Sequence, residues 1–362
     1  MKLVIFGLTV SSSWGNGHAT LWRGLISALT ARGHRVVFFE RDQPFYAAHR
    51  DLLGLPAGAR LILYASWEEA LPHARRHLRD ADAGMVTSYC ADGIEAGRLV
   101  LGSRVPVKSF YDMDTPVTLE RAERGESVEY IGPEGLGGYD LVLSYTGGEA
   151  LTGLRRLLGA RNALPLYGSV DPRVHFPVDG REHYRGDLSY LGTYAANRQQ
   201  ALERFFLEPA RRLPERRFVI GGAQYPRDFA WTPNLFFVQH LPPIEHPAFY
   251  CSSALTLNVT RAPMAAMGWC PSGRLFEAAA CGIPVLTDGW EGLDSFFRPG
   301  EEILIAHSTE DAVEALSLSP EDLARMGRRA RERALTEHTA ERRAEELVAL
   351  LDGGRVSNHA RN

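Results

Sequence analysis

Little in this chain points to metal, disulfide or membrane. Four cysteines occur in 362 residues, Cys90, Cys251, Cys270 and Cys281, with no CxxC pair and no His-rich partner, so neither a structural zinc site nor a disulfide framework is expected. A reducing compartment, the cytoplasm, is the expected location. No segment strings together the ~18 apolar residues that crossing a bilayer requires, so no transmembrane segment is expected. The opening MKLVIFGLTVSSSW passes straight into a Gly-containing loop and reads as a first core strand, not a signal peptide. No Lys/Arg run appears, and the formal net charge is -4 with a pI near 6.3. A phosphate backbone needs a concentrated basic face, so nucleic acid is not an expected partner. Low-complexity tracts are absent too, and 45% hydrophobic with 23% charged residues describes an ordinary globular chain.

What is present is alternation. A chain of 362 residues is roughly two domains long. Apolar runs at 2–7, 34–40, 60–63, 84–88, 105–111 and 140–144 alternate with helical spacing at 17–31, 67–79 and 92–101, which predicts a parallel sheet covered on both faces. Around 164–187 the pattern loosens into a stretch rich in Pro, Gly and Asp. A second series follows, with strands at 188–192, 218–221, 235–238, 254–259 and 283–287 and helices at 196–212, 272–281, 320–335 and 339–351. The expected fold class is α/β, two Rossmann-like domains. The first domain is expected over 1–165, a linker over 166–186, the second domain over 187–335 and, over 336–362, a helix crossing back to the first domain. In such sheets ligands sit at the carboxyl ends of the strands.

The most specific segment is SGRLFEAAACGIPVLTDGWEGLDSFFRPGEE, 272–302. Ser272 and Gly273 open a helix whose free N–H groups and positive dipole end suit a diphosphate, and Arg274 adds a fixed charge. Glu277 lies one turn further on the same face, where a carboxylate can accept both hydroxyls of a ribose. FEAAACGIPVLTD resembles the E-A-x-A-x-G-x-P-V segment of retaining GT-B glycosyltransferases of the group 1, family 4-like kind. With the preceding Arg it is similar to the CgeB-like branch, as are 187–205, 241–250, 257–261 and 39–52.

The resemblance implies a glycosyltransferase that uses a nucleotide diphosphate sugar, with no metal and no other cofactor, acting on an acceptor the sequence does not identify. By analogy Glu277 holds the donor ribose, Gly192, Thr193 and Arg198 approach the diphosphate, the LPPIEH loop with Ile244 frames the base, and Thr260 and Arg261 line the donor pocket. One departure stands out. The acidic residue these families carry eight positions before the ribose-binding one is Trp269 here, which turns attention to Asp288 and Glu291 for the donor sugar and leaves retention and inversion both open.

The loop SSSWGNGHAT, 11–20, forms a second candidate site. Gly15 and Gly17 allow close backbone approach, and His18 stands where inverting GT-B enzymes often place a catalytic His. An imidazole titrating near neutrality can take a proton from an acceptor hydroxyl. Asp112 and Asp114, at the carboxyl end of the fifth strand, are its candidate partners. Two other classes remain. GNGHAT nearly matches a dinucleotide fingerprint and Glu40 ends the next strand where the ribose-binding acid would stand, as in an NAD-dependent oxidoreductase. Trp269 keeps open a GT-B-shaped epimerase or inactive binding protein.

Overall fold

Continuous apolar runs become strands that are buried on both faces in the interior of each sheet, as expected of parallel sheets. The computed structural model describes residues 1–359. The chain divides into two compact units, Met1–Tyr167 with the chain from Ala340 onward, and Gly168–Thr339. Residues 168–186, expected as a linker, are part of the second unit.

The first unit holds β1 (Lys2–Gly7), β2 (Arg35–Arg41), β3 (Ala59–Tyr64), β4 (Ala83–Thr87), β5 (Val107–Asp112), β6 (Leu141–Ser144) and β7 (Ala163–Pro165). All are parallel, in the order β3-β2-β1-β4-β5-β6-β7. Helix His18–Ala31 buries Ala19, Trp22, Leu25, Ile26 and Leu29 at the spacing of one helical face. The final helix, Ala340–His359, packs Ala340, Ala344, Leu347 and Leu351 into the same core, against the face carrying Trp22 and Leu25.

The second unit holds β8 (Gly186–Leu191), β9 (Phe218–Gly222), β10 (Leu235–Gln239), β11 (Ser253–Asn258), β12 (Val285–Asp288) and β13 (Leu304–Ala306), again all parallel, in the order β10-β9-β8-β11-β12-β13. The helix expected over 196–212 is broken into a 3-10 turn, two short α segments and a π-helical turn at Glu203–Leu207, where Phe205, Phe206 and Leu207 are all buried. Three consecutive inward side chains cannot share one α-helical stripe, and the wider turn brings them to the core. In each sheet the order reverses beside the first strand, between β1 and β4 and between β8 and β11. That reversal opens a crevice at the carboxyl ends, where ligands of doubly wound folds bind.

Candidate functional site

In the second unit the loops at the reversal run from Gly192 to Arg198 after β8 and from Val259 to Arg261 after β11. Gly222, at φ +158, ends β9 so close to the first loop that a Cβ there would lie 2.0 Å from the Gly192 carbonyl oxygen. The Gly192 N–H donates to the Gly221 carbonyl at 2.9 Å, and the Tyr225 hydroxyl donates to the Gly192 carbonyl at 3.0 Å. Arg198 is half-buried beyond this turn; its Nη1 donates to the Thr193 carbonyl at 3.4 Å and its Nε is without a partner. Burial first, then the neighbouring charges of Arg274 and Arg261, pull its guanidinium down to about 10. Among the described residues neither Arg198 nor Arg274 is ion-paired to a carboxylate.

Arg274 enters from helix Gly273–Ala280. Ser272 is its N-cap, the side chain accepting from the Arg274 N–H at 3.4 Å, and Leu275, Phe276 and Ala278 to Ala280 anchor the buried side. One turn on, Glu277 receives the Tyr250 hydroxyl on Oε2 at 3.3 Å. The same oxygen lies 3.8 Å from His246 Nδ1 and 3.9 Å from His175 Nε2. Burial pushes both imidazoles down to about 4, so they are neutral at pH 7. His246 and Tyr250 stand one turn apart on helix His246–Cys251, while His175 comes from a turn about seventy residues earlier, so the chain positions gave no signal that all three meet at Glu277.

The other donor-site candidates divide. Asp288 accepts the Thr260 N–H at 2.9 Å and its hydroxyl at 3.0 Å, and burial raises its carboxyl above the ordinary range despite those bonds. These two residues therefore form one structure at the ends of β11 and β12. Ile244 stands in solvent, 82% exposed, on the turn Pro243–Glu245. The Glu291 side chain is also exposed, while its carbonyl accepts the Trp269 N–H at 2.7 Å. Trp269 is held at φ +48, and its ring lies where a Cβ on Gly292 would sit, 2.4 Å away.

In the first unit, Glu40 is 0% exposed and spent on the loop after β1. Its carboxylate accepts from the Thr9 hydroxyl at 2.8 Å, the Val10 N–H at 2.7 Å, the Ser11 N–H at 3.0 Å and the Ser11 hydroxyl. A carboxylate so engaged has nothing left for a dinucleotide ribose, which removes the basis of the oxidoreductase reading.

The loop Glu40 holds leads to Gly17, whose missing side chain leaves open space, and to His18. His18 Nε2 and Asp114 Oδ2 are 2.8 Å apart. His18 Nδ1 is buried and unpartnered. Tyr89, in the loop after β4 at φ +59, stands edge-on to the His18 ring at 6.0 Å; nothing in the sequence reading pointed to it. Asp112 does not join the pair. It is 0% exposed and accepts the Asp114 N–H at 3.1 Å, and burial raises its carboxyl to about 7 against hydrogen bonds from Thr118, Asp114 and Ser88. As the last residue of β5 its side chain turns into the core, so it shapes the turn that presents Asp114.

Residues 198–349 match the family model described as glycosyl transferase-like. No curated protein sequence matches the chain. Solved structures with the same fold include sucrose-phosphate synthase from Thermosynechococcus elongatus, at 16% identity and TM-score 0.72, covering 97% of this chain and 98% of that one. Anabaena HepE in complex with UDP-glucose is similar at 10% identity and TM-score 0.69 over 98% and 100% of the two chains. An alpha-glucosyltransferase in complex with UDP-glucose and DNA containing an abasic site is similar at 11% identity and TM-score 0.69 over 97% and 99%. Residues 198–349 are thus glycosyl transferase-like in sequence, and the chain as a whole has the GT-B fold of these solved structures.

Proposed function

We propose that the chain moves a sugar from a nucleoside diphosphate sugar onto an acceptor hydroxyl, the donor being held by the second unit. The observation that carries this reading is the gathering of Arg198, Arg261 and Arg274, since the burial and the mutual repulsion that depress Arg198 are both offset by an anion bound among them. A diphosphate is such an anion, and the positive dipole end of the helix opening at Gly273 adds to its reception. The sugar's bond to the diphosphate oxygen breaks and a bond to the acceptor oxygen forms. Charge grows on the leaving phosphate as that happens, so the same arginines stabilise the transition state and no metal is needed at the diphosphate.

In this reading Gly192 and Thr193 meet the diphosphate, Glu277 accepts the ribose hydroxyls, the turn bearing Ile244 frames the base, and Thr260 with Asp288 borders the donor sugar. The acceptor proton passes to His18, oriented by Asp114. UDP-glucose is present in the HepE and alpha-glucosyltransferase complexes, which makes UDP the first nucleotide to test. The CgeB-like branch remains the narrower affiliation. All four cysteines are free thiols, which supports a cytoplasmic setting; among the described residues no helix is long and apolar enough to cross a membrane.

Calorimetric titration with UDP tests the donor assignment. Loss of charge-assisted bonds to ribose in Glu277→Ala should cost ~1.5–3 kcal/mol, roughly ten- to a hundredfold in affinity. Unchanged affinity in a folded Glu277→Ala protein would remove Glu277 from the site.

A further inference from the structure

The surroundings of Glu277 hold more acceptors than donors. His246 Nε2 lies 3.3 Å from the Leu241 carbonyl oxygen, which can only accept, so in the neutral ring Nε2 carries the proton and Nδ1 presents a bare lone pair. That lone pair faces Glu277 Oε2 at 3.8 Å with no hydrogen between them. His175, 5% exposed, approaches the same oxygen with Nε2 at 3.9 Å, and neither of its ring nitrogens has a hydrogen-bond partner. Two imidazole nitrogens and a carboxylate oxygen thus lie within 4.8 Å of one another in a buried setting.

We propose that His175, His246 and Glu277 bind a divalent transition metal of the zinc class. A cation between the three would give partners to an unpartnered nitrogen of each imidazole and to a crowded carboxylate oxygen. Tetrahedral zinc with bonds of ~2.0–2.2 Å places neighbouring ligand atoms about 3.4 Å apart, so the two carboxylate edges must close by about half an ångström and the edge between the imidazole nitrogens, within 4.8 Å, by at most about 1.4 Å. The donor set decides the metal class: imidazole suits zinc and its neighbours, whereas magnesium and calcium want oxygen. The Leu241 carbonyl fixes the ring of one ligand and Tyr250 fixes the carboxylate of another, the outer support that metal ligands require. Glu277 Oε1 makes none of these contacts and stays available to a ribose. The metal site does not rest on the donor reading, because zinc binding needs no nucleotide.

The experiment is a zinc titration of the metal-stripped full-length protein by calorimetry, together with anomalous diffraction at the zinc edge from crystals of the unaltered protein grown with Zn²⁺. One zinc per chain is expected, with the anomalous peak bonded to the three named atoms, and His175→Gln and His246→Gln should each weaken binding by roughly a hundredfold. A parallel UDP titration of the metal-stripped protein reports on the donor site separately. No stoichiometric zinc, a peak on cysteine sulfur, or variants that bind zinc as well as the unaltered chain would overturn the assignment.

Discussion

Replacing Arg198 by Met should raise the stability of the ligand-free protein and lower its affinity for UDP, two effects that a purely structural arginine cannot produce together. The guanidinium is drawn down to about 10 by burial and by Arg274 and Arg261, so at pH 7.5 it is charged in both folded and unfolded chains while the fold disfavours that charge. The sign follows: the penalty is fully present below the folded value and is relieved as pH rises through it. Taken at face value the shift is a few kcal/mol, and screening at a half-buried position reduces it to ~1–2 kcal/mol. Against this, Met loses the 3.4 Å bond to the Thr193 carbonyl, worth about 0.5–1 kcal/mol. The balance is a gain of ~1 kcal/mol, or about 2–4 °C in the melting temperature of a unit this size. With UDP present the comparison reverses, since a lost phosphate contact of ~1.5–3 kcal/mol weakens binding roughly ten- to a hundredfold. Melting scans with and without UDP read both quantities. A lower melting point in the ligand-free variant with unchanged UDP affinity would refute the anion-site reasoning.

Three further outcomes follow from named contacts. His18→Ala should lower kcat by about a hundred- to ten-thousandfold with UDP binding nearly intact, because the proton transfer it serves develops only in the transition state; a normal kcat in the folded variant would move the search to Asp114. Acidification should destabilise the second unit. Both His175 and His246 sit at about 4 in the fold and near 6.5 when unfolded, so the unfolded chain binds more protons in between and stability falls as pH drops through that window, by up to ~3 kcal/mol per group; His246→Gln should flatten the profile measured by urea unfolding. Gly222→Ala should cost on the order of 3 kcal/mol or displace the 192–198 loop, since its Cβ would meet the Gly192 oxygen at 2.0 Å; an unaltered melting temperature would count against that close approach.

The strands were legible because parallel, doubly buried strands are written as continuous apolar runs, and β1 and β9 begin where the pattern begins. The three-residue strands β7 and β13 were not, since three residues carry no period. Glu277 and Arg274 could be singled out because helix cap, charge and carboxylate lie within six residues of one another. His18 and Asp114 were each visible, but the distance between them, 96 positions in sequence, is set by where β1 and β5 stand in the sheet. Asp112 and Asp114 could not be told apart from sequence; the strand end turns one inward and the loop releases the other. Glu40 kept the oxidoreductase alternative open for a related reason. Its chain position fits a ribose ligand, and only the path of the loop after β1 reveals that Thr9, Val10 and Ser11 already occupy it.

The first unit owes part of its core to residues translated only after the second unit. Ala340, Ala344, Leu347 and Leu351 cover Trp22 and Leu25, so more than three hundred residues separate neighbours in one apolar cluster. On the ribosome, a sheet complete by Pro165 must wait through the synthesis of the entire second unit before that cluster closes. At ~5–20 residues per second the wait is on the order of ten seconds or more, during which the face of helix His18–Ala31 is open to other apolar surfaces. A chain stopped after Thr339 should therefore expose that face permanently and depend on chaperones, however well its second unit folds.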